Sequence, residues 1–112
     1  MWLLVFFCKF VVYLYDIMSQ DNKSYNNILE LIGNTPLIKL NELTKNFLGS
    51  YFTKYECYNP GHSSKDRIAL HILNQAEKKG ILKKGSTIIE TTSGNTGFSL
   101  AMVSLLKGYK CI

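Results

Sequence analysis

Apolar and polar positions change rhythm several times along this chain, and each change marks an element. Trp2 to Tyr15 is almost wholly apolar, broken by Lys9 and closed by Asp16. Residues 18–29 are polar and Asn-rich, a flexible entry. Ile28, Leu29, Leu31 and Ile32 then supply enough apolar side chains for a short helical turn. Gly33-Asn34-Thr35-Pro36 interrupts it, because Gly and Asn tolerate positive φ and Pro36 disfavours a helix across Thr35. Leu37 to Leu40 reads as a strand. Tyr51 to Glu56 alternates aromatic and polar residues at high β-propensity and reads as a second.

Asp66 to Lys79 has helical periodicity. Ile68, Ile72 and Ala76 recur at a spacing of four, with Ala69 and Leu73 alongside. Lys78 and Lys79 suit the C-terminal end of that helix, and Gly80 suits the residue just past it. Thr87 to Glu90 is a third strand. Phe98 to Leu106 is apolar nearly all round, which predicts a helix covered on more than one side. Gly108 ends it, and Tyr109 to Ile112 begins a fourth strand. Strand, helix, strand, helix, strand is a parallel βαβ order with right-handed crossovers. The expected class is α/β, a partial parallel sheet with helices on both faces, including 66–79 and 96–107.

Composition narrows the picture little. With 112 residues the chain amounts to at most one domain. Hydrophobic residues at 46% and charged residues at 19% fit a core-forming chain. The net charge of +5 is spread along the sequence, so no dense nucleic-acid patch forms and no nucleic-acid partner is expected. The three cysteines, Cys8, Cys57 and Cys111, are odd in number and form no CxxC pair. Neither they nor His62 and His71 have metal-ligand spacing, so neither a disulfide framework nor a metal is expected and a reducing cytoplasm fits best. Cys57 and Cys111, beside strands, are expected in the core.

The apolar start is shorter than the ~20 residues a spanning helix needs, and it lacks the flanks of a secretory signal. Residues 1–17 are best read as an extension, with Met18 as an alternative start. Membrane attachment through residues 2–15 ranks second and a cleaved signal third.

Two short stretches carry the chemistry. Asn59-Pro60-Gly61-His62-Ser63-Ser64-Lys65-Asp66-Arg67 leads from a strand through a turn into a helix, and Thr92-Ser93-Gly94-Asn95-Thr96-Gly97 does the same. In an open α/β sheet such turns converge on one ligand-binding crevice. A solvated lysine in a helix's first turn is the ordinary reading of Lys65. A cation is poorly placed there, because a helix N-terminus carries about half a positive charge. The same field favours a neutral amine, the form that attacks a carbonyl. Ser63 and Ser64 can cap the helix, and Asp66 with Arg67 can be a helix-start charge pair. In the second stretch a turn at Gly94-Asn95 and a cap at Ser93 or Thr96 would explain one hydroxyl and one glycine. Three hydroxyls, an amide and two glycines in six residues are more than that requires. Backbone N–H groups at a helix start form an anion site that flanking hydroxyls extend to a carboxylate. Neither GxxxxGK[ST] nor GxGxxG occurs, so nucleotide-phosphate loops of those kinds are excluded.

From Leu31 to Ile112 the chain resembles the N-terminal part of the cysteine synthase and cystathionine β-synthase family, pyridoxal-phosphate (PLP) enzymes of fold type II. Gly33-Asn34-Thr35-Pro36-Leu37 is similar to the family's opening signature. Asn59 to Arg67 is similar to its cofactor-lysine segment and Thr92 to Gly97 to its asparagine loop. Ser64 departs from the valine usual before the lysine, and His62 from a small residue. The family's glycine-rich phosphate loop lies beyond Ile112.

The resemblance implies that residues 18–112 are the N-terminal part of a PLP-dependent catalytic domain, truncated here. Lys65 would hold PLP as an imine and later serve as acid–base group at the substrate's Cα. Asn95 would bond the cofactor's 3′ oxygen, and Thr92, Ser93, Asn95 and Thr96 would hold the substrate. The implied reaction is β-replacement, making cysteine from an activated serine and sulfide. The alternatives are cystathionine formation from serine and homocysteine, or a non-catalytic fragment. The implied partners are the amino-acid substrate, a sulfide or thiol and, for a full-length enzyme, a second copy in a homodimer.

Overall fold

The structure is a computed structural model and describes residues 24–112. The apolar stretch 2–15, the alternative start at Met18 and Cys8 lie outside the described residues. The described chain is a mixed α/β arrangement.

A 3-10 turn at Ile28–Leu31 comes first, its start fixed by Asn27, whose side-chain oxygen accepts from the Leu29 N–H at 2.9 Å. Strand β1 is Leu37–Lys39, α1 is a single turn at Asn41–Thr44, and β2 is Phe52–Lys54. The long helix α2 spans Lys65–Lys78, one residue earlier at each end than periodicity suggests. Strand β3 is Thr87–Ile88, helix α3 is Asn95–Lys107 and β4 is Lys110–Cys111. The strands are shorter than expected because pairing, which a hydrophobic pattern does not specify, sets their ends.

Both helices stop in the same way. Gly80 and Gly108 adopt φ of +69° and +76°. Past α2, the N–H groups of Gly80 and Ile81 donate to the carbonyls of Glu77 and Ala76, each at 2.9 Å. Past α3, Gly108 and Tyr109 donate to Leu105 and Ser104. This pair of crossed bonds satisfies carbonyls a helix end would otherwise leave bare, and a left-handed residue is needed to close it. The two ends are then joined by Glu77, which accepts from Lys107 Nζ at 2.8 Å and from the Tyr109 hydroxyl at 2.9 Å.

The sheet differs from the expected one. β1 and β2 form an antiparallel pair with Ile38 opposite Thr53. β3 and β4 form a separate parallel pair, with Thr87 opposite Lys110 and Ile88 opposite Cys111. The parallel βαβ order therefore holds for β3–α3–β4, while β2 belongs to another ribbon. The helices also do not sandwich a common sheet. They pack on each other through Ala69, Leu73, Leu100 and Val103, with Leu70, Leu82, Ile88, Met102 and Tyr109 against that core.

Consequently the buried stripe of α2 is Ala69 and Leu73, whereas Ile68 and Ile72 are exposed. Helix α3 is buried on one face only, through Ser99, Leu100, Val103 and Ser104, and Phe98 and Leu105 are exposed. Its apolar surround is covered where it meets α2 and left open elsewhere among the described residues. Cys57, in a 3-10 turn at Glu56–Tyr58, and Cys111, on β4, are likewise exposed free thiols rather than core residues, because among the described residues nothing covers them. No helix of the described residues is long and apolar enough to cross a membrane.

Candidate functional site

The first motif is a cross-bonded turn. Asn59, 1% exposed, holds three partners: its Nδ2 donates to the Glu56 carbonyl and to Glu56 Oε2, each at 2.9 Å, and its Oδ1 accepts from the Gly33 N–H at 2.8 Å. Arg67, in the first turn of α2, closes the same cluster. Its Nε and Nη2 grip the two Glu56 oxygens at 2.8 and 2.9 Å, and Nη2 also donates to the Gly33 carbonyl and Thr35 Oγ1. Thr35 Oγ1 donates in turn to Glu56 Oε1 at 3.0 Å, and Lys54 Nζ reaches the Thr35 carbonyl. The Gly33–Pro36 turn is thus pinned to the segment that leads into α2. The Arg67 bond, joined by those from Asn59 and Thr35, holds the Glu56 carboxyl down from 4.5 to about 2 against the opposing effect of burial. Arg67 is pushed further up by the same carboxylate.

Asp66 does not form a helix-start charge pair with Arg67, the ordinary reading of these two residues. Its side chain turns inward, 0% exposed, and accepts from the Gly61 N–H and the Ser99 hydroxyl, each at 2.5 Å. A Cβ on Gly61 would collide with the Asp66 carboxyl, so that close approach requires glycine. Arg67 goes to Glu56 instead, because the helix turn sends successive side chains about 100° apart.

Lys65 is the first residue of α2 and is half-buried. Its backbone N–H donates to Ser63 Oγ at 3.2 Å, whereas Ser64 makes no capping bond. Its amine makes no hydrogen bond or ion pair with the described residues. His62 is exposed at φ 56°, with a ring nitrogen 3.4 Å from the Cys57 carbonyl.

The second motif is open by comparison. The capping oxygen belongs to Thr92, not to Ser93 or Thr96: Thr92 Oγ1 accepts from the N–H groups of Gly94 at 3.2 Å and Gly97 at 3.3 Å. A Cβ on Gly97 would strike the Thr92 methyl, which explains the glycine inside the helix's first turn. Ser93 and Asn95 are exposed and Thr96 is half-buried. Among the described residues their side chains have no hydrogen-bond partner, and the N–H groups of Asn95 and Thr96 at the start of α3 have no acceptor. Three side-chain groups and two backbone donors are therefore available to an anionic ligand.

No direct bond joins Lys65 to Thr92, Ser93, Asn95 or Thr96 among the described residues. The link runs through their neighbours, from Asp66, next to Lys65, to Ser99, on the first turns of α3. Sequence reading placed Asn59 and Asp66 in the first motif but missed Glu56 and Ser99, and with them the bonds that join these four residues to the site. The one available signal was Asp66 itself, an acid at a position of α2 adjoining the buried Ala69 stripe.

Comparison with known proteins identifies the family of the chain. A family model described as pyridoxal-phosphate dependent enzyme matches residues 28–112. A cysteine synthase from a Flavobacterium species is 56% identical over 88 residues, covering 79% of this chain and 28% of the relative. A cystathionine β-synthase from Apis mellifera is 54% identical over 88 residues, covering 77% of this chain and 18% of the relative. The crystal structure of O-acetylserine sulfhydrylase isoform 3 from Entamoeba histolytica superposes with a TM-score of 0.75 at 43% identity, covering 81% of this chain and 28% of that one. The chain thus spans less than a third of the length of these relatives. The donor set fits the family's cofactor, since an amine that no other described residue engages suits its aldehyde, and the donors of 93–96, equally unengaged among the described residues, suit anionic oxygens.

Proposed function

The chain belongs to the pyridoxal-phosphate-dependent enzymes, and from that premise we propose that it carries the lysine segment and the substrate loop of a β-replacement enzyme making cysteine from an activated serine and sulfide. The observation that carries the reading is an amine at the start of α2 and a donor loop at the start of α3, neither engaged by other described residues, with the two helix starts tied through one carboxyl. Bound PLP would supply an electron sink that makes the substrate's Cα proton acidic and its Cβ substituent a leaving group. Lys65 would hold the cofactor's aldehyde carbon and, once displaced by the substrate's amino group, move the proton at Cα. Asn95 would donate to the ring oxygen of the cofactor. Thr92, Ser93 and Thr96, with the N–H groups of Asn95 and Thr96, would clamp the amino acid's carboxylate and so fix Cα near Lys65. Of these, Thr92 serves mainly by shaping the loop, its hydroxyl already accepting two N–H bonds.

Curated relatives of nearly equal identity include both cysteine synthases and cystathionine β-synthases, which keeps serine plus homocysteine as the second reading. The polypeptide is tested with PLP, O-acetylserine and sulfide, and separately with serine and homocysteine. Cysteine formation, reduced at least roughly a hundredfold in Lys65→Ala, supports the first reading. Cystathionine alone supports the second. Neither product supports a non-catalytic segment.

A further inference from the structure

We infer that Asp66 is a positioning residue that couples the Lys65 turn to helix α3, so that Ser99, far from Lys65 in sequence, governs how Lys65 is presented. The inference deepens the proposed function and rests on it for the role of Lys65. The two acceptor contacts of Asp66 reach opposite sides of the site. One oxygen takes the Gly61 N–H of the turn ahead of Lys65, and the other takes the Ser99 hydroxyl, 33 residues away in sequence, on α3. Asp66 and Ser99 are both 0% exposed, so water does not replace either partner and the loss of one leaves a buried group unsatisfied. The steric demand at Gly61 points the same way, because only a residue without Cβ lets the turn reach this carboxyl.

A second serine on the same helix supplies the control. Ser104 is also 0% exposed, and its hydroxyl has no hydrogen-bond partner among the described residues. A buried serine on α3 is therefore not enough. The effect expected of Ser99 comes from its bond to Asp66.

The test is amide hydrogen exchange of the 112-residue chain by NMR, together with pyridoxylation by PLP and borohydride followed by peptide mapping. In the unmodified chain the Gly61 N–H exchanges more slowly than that of Gly94, whose acceptor Thr92 is exposed. Ser99→Ala speeds Gly61 exchange roughly tenfold, Ser99→Thr restores it, and Ser104→Ala leaves it unchanged. The share of label on Lys65 falls in Ser99→Ala and returns in Ser99→Thr. Gly61 exchanging as fast as Gly94 in the unmodified chain overturns the inference even if Ser99→Ala does not fold. So does a Gly61 rate indifferent to Ser99→Ala, or one moved equally by Ser104→Ala. If the unmodified chain labels its lysines without preference, the reading of Lys65 fails, while Gly61 exchange still decides the coupling.

Discussion

The turn before Lys65 and the loop before α3 share a plan, strand to turn to helix, yet they are finished in opposite ways. The first is closed by internal bonds: Asn59, Glu56, Arg67, Thr35 and Gly33 form one cluster, and Asp66 locks Gly61 from inside. Among the described residues the second has a single organising oxygen, Thr92 Oγ1, and leaves the side chains of Ser93, Asn95 and Thr96 unengaged. Under the proposed function such a contrast would separate scaffold from receptor. A covalent attachment point needs a fixed base, and a loop that binds a carboxylate needs donors not already spent on the protein.

The largest effect should come from breaking the closed turn. Asp66→Ala orphans the Gly61 N–H and the Ser99 hydroxyl together and should lower unfolding free energy by roughly 2–4 kcal/mol in denaturant titration. Next comes the Glu56 cluster, read through pH. Glu56 titrates lower folded, at about 2, than its usual 4.5, so its stabilisation is fully present above 4.5 and is lost as pH falls toward 2. Denaturation midpoints measured across pH 2–6 should show this acid-side loss, and Glu56→Gln should flatten it. The open loop should respond less. Thr92→Val removes the acceptor for two exposed N–H groups and should cost about 1 kcal/mol, a loss visible as faster exchange at Gly94 and Gly97 with Gly61 unchanged. Smallest is Ser104→Ala, which removes a buried hydroxyl without a partner among the described residues and should be neutral or stabilising within about 1 kcal/mol.

The same contrast shows how much was legible in the sequence. Both helices were readable, because periodicity, terminal lysines and Gly80 and Gly108 are local signals. The two motifs were readable as chemistry, because unusual residues sit side by side. The partners were not. Asp66 with Arg67 looked like a local pair, yet Asp66 bonds Ser99 and Arg67 bonds Glu56, and nothing within a helix turn says which distant group will be met. Strand pairing failed for the same reason: alternation in 51–56 indicates a strand, not that it lies antiparallel to Leu37–Lys39. The apolar surround of α3 and the cysteines at 57 and 111 misled because hydrophobic character states a preference for cover, not whether the described chain provides it.

The most direct test of the central claim is chemical. The chain is incubated with PLP, reduced with borohydride, digested and mapped by mass spectrometry. A pyridoxyl adduct concentrated on Lys65, reduced by competing O-acetylserine, is the result expected of an amine fixed beside a carboxylate loop. Label scattered over the other lysines, or concentrated on one of them with Lys65 unmodified, would contradict the assignment of Lys65 as the cofactor-holding residue.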